Sequence, residues 1–404
     1  MMNKKRLLTM AVSAALAAPM SAFATNGMLL EGYGPIATGM GGASMAYDNG
    51  TAGMMNNPAT LALMKEGSRL DLALGHMAPD VTFEMMGQEH KSKSDSFLMP
   101  ALGWIQRSGD FSYGVGVFAQ GGMGVDFRDV MGAPGNDFYS QVSVGRVIFP
   151  LAFNVNERLA IGATLEYVWA NLDLQYGEGF EFRNSNDFSG EATGDGIAGK
   201  VGLVYQVNEQ FNVGAAYHSK GNIGDLSGAK GTVGGGTMDA NFTFKGFDMP
   251  AVLALGMSFQ ANERLMLGAD VKQIQWSNTM KTPVLHMDIG PGFSEVDFRQ
   301  DWKDQNVLSL GAAYQFSSSL VGRIGANLAD NPVPDKNLNP LFPATVKNHY
   351  TIGFGYVFNP SQSFDFSLSH APKTTATSTS EALPPGSKIK HGQTNWQMMY
   401  SHRF

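Results

Sequence analysis

The sequence predicts an all-β fold, a 14-stranded antiparallel transmembrane β-barrel with an N-terminal plug in the lumen. Most of the chain alternates apolar and polar residues, as half-buried strands do. The connections between these stretches alternate in length between short and long, which is typical of an outer-membrane barrel. The composition of 49 Gly, 26 Phe and 12 Tyr also suits a barrel, because aromatic rings face lipid and glycines allow close backbone approach.

Residues 1–24 are predicted to be a secretory signal peptide. Lys4 to Arg6 form a positive start, Leu7 to Met20 are apolar or small, and Ala22 to Ala24 fit a small-x-small cleavage site. The apolar run is shorter than the ~20 residues that a membrane-spanning helix needs. We therefore expect export, cleavage and a place in the outer membrane of a Gram-negative cell.

Composition argues against several other classes of protein. The chain has no cysteine, so it has no disulfide framework. Its net charge of −7, without a basic run, argues against nucleic acid as a partner. No GxxxxGK[ST] motif is present, so energy input from ATP is not indicated and passive action is expected. We also expect no cofactor, no metal site and no catalytic residue.

Residues 25–67 precede the first predicted strand and are predicted to form the plug. Their centre reads GMMNNPATLAL from Gly53 to Leu63. Pro58 fixes its own backbone and keeps Asn57 out of the helical region, so Asn57 is the expected N-cap of a short helix over Ala59 to Met64. A segment this apolar is costly to leave in water, and folding into the lumen would bury its methionines and block the pore.

Residues 68–404 are predicted to form the barrel. Three stretches, which start at Phe153, Tyr205 and Phe259, each end one alternating run, turn through Asn-Glu and begin another, as a tight hairpin does. The predicted strands lie near 68–78, 95–107, 110–120, 140–154, 157–172, 193–207, 210–219, 249–261, 263–277, 303–317, 320–329, 346–359, 361–371 and 393–404. The predicted short connections are 108–109, 155–156, 208–209, 262, 318–319 and 360.

Strand parity separates a lipid-facing side from a lumen-facing side. Parity places four cations in the lumen: Arg146, Lys200, Lys272 and Arg323. It places Asp71, Glu166 and Asp270 there too. One hypothesis is that a cation binds a ligand carboxylate; the other is that these charges pair with one another and tether the plug.

Aromatic residues gather beside the short turns, where an interfacial girdle is expected. They are Phe111, Phe153, Phe211, Phe259, Phe316, Phe358, Phe364 and Phe404.

Several stretches resemble the FadL/TodX family of outer-membrane transporters for hydrophobic compounds. They are IATGMGGASMAYDNGTAGMMNNPATLAL with its Asn57-Pro58-Ala59 triplet, MPAVLALGMSF from Met249, ERLMLGADVKQIQWS from Glu263, and GRIGANLADNPVPDKNLNPLFPATVKNHYTIGFGYVF from Gly322. The resemblance spans essentially the whole mature chain. It implies a plugged 14-stranded barrel, which agrees with the strand count.

The resemblance implies passive uptake of a lipophilic molecule, with release sideways into the membrane through a kink in the third strand. Gly121, Gly122 and Gly124 are the expected kink, since glycine in a strand marks a bulge or bend; alternatively they begin the next loop. Family members carry long-chain fatty acids or small aromatic hydrocarbons, and we take fatty acids as the default.

Outer-membrane lipid and the barrel-assembly machinery are the implied partners, and a monomer is expected. An outer capture groove is expected on the loops near 121–139, 174–192 and 220–248.

Three alternatives use other features of the sequence. An enzyme would need a nucleophile context such as GxSxG around His218-Ser219, which is absent, and the eight histidines are expected at surfaces and interfaces. A general diffusion porin would need an open lumen, against which the plug-like segment counts. An adhesin would use loops such as the TTATSTS stretch from Thr374.

Overall fold

The computed structural model describes residues 26–128, 130, 138–176, 180–182, 191–290 and 292–404. The predicted signal peptide lies outside the described residues. Among the described residues before the first strand there is one short α-helix, α1, at Pro35–Gly39, followed by two 3-10 helices at Gly50–Met54 and Pro58–Leu63. Two further 3-10 helices, Trp276–Asn278 and Asp335–Asn337, lie in long connections. No described helix is long and apolar enough to cross a membrane.

All strands belong to one antiparallel sheet. In chain order they are Gly67–Met85 (β1), Gln88–Lys91 (β2), Phe97–Ser108 (β3), Phe111–Asp126 (β4), Phe138–Asn156 (β5), Leu159–Tyr176 (β6), Phe180–Phe182 (β7), Ala192–Asn208 (β8), Phe211–His218 (β9), Leu226–Val233 (β10), Met238–Lys245 (β11), Val252–Gln260 (β12), Leu265–Ile274 (β13), Val284–Asp288 (β14), Phe293–Asp297 (β15), Gln305–Gln315 (β16), Leu320–Ala329 (β17), His349–Asn359 (β18), Gln362–Thr377 (β19) and Lys388–Arg403 (β20).

Fourteen of these strands close into a barrel, as predicted. Each pairs with the next of the fourteen along the chain, and β20 pairs with β1 from Arg69/Arg403 to Glu84/Lys388, which closes the barrel. Connections of two to four residues alternate with long ones; the short ones are 109–110, 157–158, 209–210, 261–264, 316–319 and 360–361. The chain terminus lies at the short-turn end, where the Phe404 N–H donates to the Ser68 carbonyl at 3.0 Å.

The two faces of the wall follow the predicted parity. On β6, Leu165 is 62% exposed on the outside, whereas Glu166 is fully buried on the inside. Several aromatic side chains beside the short turns are largely exposed on the outside, among them Phe111, Phe316, Phe358 and Phe404. The outer surface is therefore apolar with an aromatic band at the short-turn end, as lipid requires.

The structure corrects the strand ends at the long-loop side. β1 runs to Met85 rather than 78, β4 to Asp126 rather than 120, and β19 to Thr377 rather than 371. Near the long-loop end, ion pairs join neighbouring strands, such as Glu84 with Lys388 at 2.7 Å. Charged residues interrupt the apolar alternation there, although the strand pairing continues.

The long connections also contain strands that the sequence analysis missed, namely β2, β7, β10, β11, β14 and β15. Of the predicted capture loops, 121–126 and 138–139 belong to β4 and β5, and 220–248 holds the β10–β11 hairpin. Residues 129, 131–137, 177–179 and 183–190 lie outside the described residues, so half of the positions in the first two predicted loops are not described.

Candidate functional site

Residues 26–66, here called the head segment, contact strands all round the barrel. The Gly41 N–H donates to Thr351 Oγ1 of β18 at 3.1 Å, the Ser44 N–H donates to Asp270 Oδ2 of β13 at 2.7 Å, and the Lys200 ammonium of β8 donates to the Met54 carbonyl at 3.0 Å. A segment that reaches strands on opposite sides of a closed sheet lies inside that sheet.

Inward-facing glycines make room for these contacts. At each of them a Cβ would touch or overlap the head segment. This glycine belt consists of Gly103 (β3), Gly116 (β4), Gly162 (β6), Gly202 (β8), Gly214 (β9), Gly256 (β12), Gly268 (β13), Gly311 (β16), Gly325 (β17) and Gly353 (β18). Through these glycines, ten of the fourteen barrel strands lie directly against residues 39–59 of the head segment.

Asn57 is the most connected residue of the NPA triplet. Its Oδ1 accepts from the Ala59 N–H at 3.1 Å, so it is the N-cap of the 3-10 helix Pro58–Leu63, with Pro58 at the first position as the sequence predicts. Its amide nitrogen donates to the carbonyls of Met45 at 2.7 Å and Leu203 at 3.1 Å. Asn57 thus joins two parts of the head segment to β8.

The charges that parity placed in the lumen do face inward, and three of them meet. Arg146 pairs with Glu166 and also donates to Gln120. Lys200 lies 4.0 Å from Glu166 and donates to the carbonyls of Met54 and Met55. Nη2 of Arg146 has no partner among the described residues.

The other two cations lie elsewhere. The Lys272 ammonium donates to the Gly42 carbonyl at 2.7 Å, and Arg323 pairs with Asp365 at 2.8 Å. Asp71 accepts from Arg69 and from the Thr51 N–H. Each of the four cations is therefore engaged by a carboxylate or by a head-segment carbonyl.

His218 was expected at a surface or interface, and this expectation is wrong. It is 7% exposed, and its Nε2 shares a hydrogen bond of 3.0 Å with Glu166. The alternation along β9 could have predicted this burial, since His218 falls on the same inward face as Gly214 and Ala216. Gln120 was not predicted as a site residue. Its backbone carbonyl accepts from the Tyr33 hydroxyl at 2.7 Å. Burial raises the pKa of the Tyr33 phenol, which therefore stays neutral and donates.

The barrel wall is interrupted between β3 and β4. Their pairing runs from Ser108/Phe111 only to Ala101/Phe118, and beyond this point residues 98–100 of β3 pair with β1 but not with β4. At the long-loop end Asp126 is hydrogen-bonded to residues 92–93 of the first long connection. We call the stretch in which residues 98–100 of β3 and 119–125 of β4 are not paired with each other the window.

Beside the window, β4 carries a bulge. Its register against β5 slips between Ala119 and Gly121, which leaves Gln120 as the extra residue. Gly121, Gly122 and Gly124 lie within β4, paired with β5, and do not begin the following loop. A Cβ on Gly121 would overlap the Met28 carbonyl, so the head segment lies directly against the bulge.

An apolar cavity lies behind the window, between the head segment and strands β1, β3, β4 and β20. Its lining includes Met77, Met99, Pro100, Phe118 and Ala119, together with residues 30–34. Its free volume is about 40 Å³. A cavity that binds benzene measures about 150 Å³, so a ligand of that size requires the head segment or the window to move.

Comparisons with known proteins place this geometry in a family. The family model described as "Outer membrane protein transport protein (OMPP1/FadL/TodX)" matches residues 11–401. Outer membrane protein P1 of Haemophilus influenzae is 27% identical over 43% of this chain and 38% of that protein. The chain spans less than half the length of the curated relatives that it matches.

Solved structures match over nearly the full chain. The toluene transporter TodX of Pseudomonas putida is 26% identical, with a TM-score of 0.82 over 93% of this chain and 99% of that chain. The toluene transporter TbuX of Ralstonia pickettii is 27% identical, with a TM-score of 0.76 over 93% and 99%. Fold and family are those of transport channels. This chain belongs to the OMPP1/FadL/TodX family of outer membrane transport proteins.

Proposed function

We propose that the protein is a passive outer-membrane channel for uptake of small hydrophobic molecules, which leave the lumen sideways through the window. The observation that carries this proposal is the coincidence of the window, the β4 bulge and an apolar cavity at one place in the wall. A lipophile on this route stays out of water, which is worth about 0.8 kcal/mol per buried CH₂.

The head segment acts as the plug in this proposal, with residues 25–67 as the plug and 68–404 as the barrel. The glycine belt holds residues 39–59 tightly, whereas residues 26–34 lie against the bulge and the cavity. Movement of residues 26–34 alone would open the cavity without removal of the plug from the lumen. A lumen occupied in this way also argues against a general diffusion porin.

Charge supports a choice of substrate class. The four inward cations are engaged within the chain, and the cavity lining contains Glu31, whose side-chain oxygens have no partner among the described residues and would repel an anion. The two toluene transporters that resemble this chain over most of its length favour the same conclusion. We therefore propose an uncharged aromatic compound as the primary ligand class.

Long-chain fatty acids, the default from the sequence, remain the second candidate. The observation that favours them is Nη2 of Arg146, a buried cationic donor with no partner among the described residues. A carboxylate at that atom would gain a charge-assisted hydrogen bond.

Uptake by Gram-negative cells that lack their own such transporter tests the proposal. Labelled toluene and labelled oleate are each supplied to cells with the intact protein, with an Asn57→Ala/Pro58→Ala variant, or with neither. We expect toluene uptake to depend on the intact protein. Uptake of oleate alone would move the ligand class to fatty acids, and uptake of neither would contradict hydrophobic transport.

A further inference from the structure

We infer that the cavity behind the window selects apolar molecules that carry one hydroxyl group, such as phenols, through Glu31 and Asn395. This inference rests on the proposed function and names the ligand chemistry of the same route. Both residues line the cavity. Glu31 is 1% exposed and Asn395 is 4% exposed, so neither side chain reaches bulk water.

Each of these two side chains has hydrogen-bonding capacity that no described residue uses. Both carboxylate oxygens of Glu31 lack a partner, and so does the amide nitrogen of Asn395. The Oδ1 atom of Asn395 accepts from the Ala78 N–H at 3.3 Å, so its amide orientation leaves the nitrogen as the unused donor. A buried carboxylate without a hydrogen bond is costly, which indicates that a ligand or solvent group satisfies it.

Three other polar groups on the cavity wall are engaged elsewhere. The Tyr33 hydroxyl donates to the Gln120 backbone carbonyl, Asp71 accepts from Arg69, and the Gln397 amide donates to the Gly32 carbonyl at 3.1 Å. Among the described lining residues, Glu31 and Asn395 are the two that have a buried side-chain polar atom without a hydrogen-bond partner, and they form the polar pair of this proposal.

The pair consists of one acceptor and one donor, which matches a hydroxyl group. A hydroxyl donates one hydrogen bond and accepts others, so it can donate to Glu31 and accept from Asn395. A hydrocarbon satisfies neither atom, and a carboxylate ion is repelled by Glu31. The cavity's free volume of about 40 Å³ is enough for a water molecule. A ligand hydroxyl reproduces the hydrogen bonds of the water that it displaces, whereas a methyl group does not.

Three rings of similar shape separate these chemistries: p-cresol, p-xylene and p-toluate. Their binding to the purified full-length protein in detergent is measured by calorimetry, and their uptake is measured in the transporter-deficient cells. We expect p-cresol to bind roughly 10- to 100-fold more tightly than p-xylene, as expected for one hydrogen bond to a charged group, and p-toluate to bind least.

The Glu31→Leu variant should lose most of the p-cresol preference, since only the Asn395 amide remains to donate to the hydroxyl, and p-xylene should bind no weaker than in the wild type. Asn395→Leu is a second, independent variant and should reduce the p-cresol preference in the same direction. Glu66→Leu makes the same chemical change at an exposed position at the end of the head segment, and should leave the preference unchanged.

The outcomes distinguish this inference from the proposed function. Equal wild-type binding of p-cresol and p-xylene, or a preference that Glu31→Leu leaves undiminished, overturns the hydroxyl site, whereas p-xylene uptake would still support the proposed channel. Tighter binding of p-toluate than of p-cresol overturns it in favour of an anion site. Uptake of no ring at all overturns the proposed function, and the inference with it.

Discussion

The Oδ1 atom of Asn57 occupies the space that a Cβ on Gly202 would need. The same oxygen caps the following 3-10 helix, and the amide nitrogen of Asn57 holds the Met45 and Leu203 carbonyls. Asn57 therefore cannot turn away without losing three hydrogen bonds. A wall residue and a head-segment residue thus fix each other, and the other glycines of the belt repeat this arrangement with other partners.

The Gly202→Val variant should displace the head segment while the barrel still forms. Overpacking of a tight contact costs about 1–3 kcal/mol, whereas valine is well suited to a strand. We expect higher and noisier conductance in planar bilayers, and greater sensitivity of cells to a large polar antibiotic.

Gly292→Val provides the matched control, because a Cβ at Gly292 has nothing within 4 Å and its φ is not in the left-handed region. It should conduct like the wild type. Wild-type conductance of Gly202→Val as well would show that the head segment tolerates the added side chain and that the belt does not hold it.

A disulfide between the head segment and the wall tests which part of the segment moves. A Cβ on Gly268 would lie 3.4 Å from the Ala43 Cβ, close to the spacing of about 3.5–4.5 Å that a disulfide requires. The chain has no cysteine of its own, so Ala43→Cys/Gly268→Cys introduces one defined pair. We expect the oxidised protein to take up toluene within about twofold of the reduced protein, since residues 39–59 stay in place.

The two single-cysteine variants control for the substitutions themselves. If oxidation abolished uptake and reduction restored it, the plug would have to leave the wall during transport. The proposal that only residues 26–34 move would then be wrong.

Much of this fold could be predicted from the sequence because its signals are local. Period-two alternation and two-residue turns give the number of strands, and parity gives the inward side of Arg146 and Lys200. The cap at Asn57 follows from Pro58, which is its neighbour in the chain. Each of these features depends on residues within a few positions of one another.

The window and the partners of the charges could not be predicted in this way. Where the pairing of β3 with β4 stops depends on register and on the head segment packed behind it, which are non-local properties. Strand parity predicts that Glu166 faces inward. It does not predict the hydrogen bond between Glu166 and His218, which is 52 positions away. Glu31 and Asn395 carry no motif at all, and only burial without partners distinguishes them.

Replacement of Arg146 separates a structural role from carboxylate binding. Arg146→Leu leaves Glu166 without its guanidinium partner, and breaking a buried pair costs about 3–5 kcal/mol. We expect the free energy of unfolding in urea to fall by about that amount. The double variant Arg146→Leu/Glu166→Leu removes both charges, but it leaves Lys200 and His218 without their carboxylate partner, so it should recover only part of the loss.

Transport by that double variant supplies the second readout. If Arg146 only holds the wall, oleate and toluene uptake should keep the wild-type ratio. A selective loss of oleate uptake would instead assign the unpaired Nη2 atom to a ligand carboxylate, and would favour the fatty-acid candidate.

Blocking the window should stop transport without harm to the barrel. Ala119 lines the cavity, is 5% exposed and lies just before the β4 bulge, so a tryptophan there would fill the space beside residues 97–100. A ring that fills part of the cavity competes with the ligand for the same space, and a loss of about 1.4 kcal/mol in binding free energy is a tenfold loss in affinity. We expect labelled toluene uptake by Ala119→Trp to fall by at least tenfold.

Ala163→Trp, on the exposed outer face of β6 away from the window, should transport normally and serves as the control. Since both variants add the same ring to a barrel strand, equal uptake by the two would exclude the window as the exit.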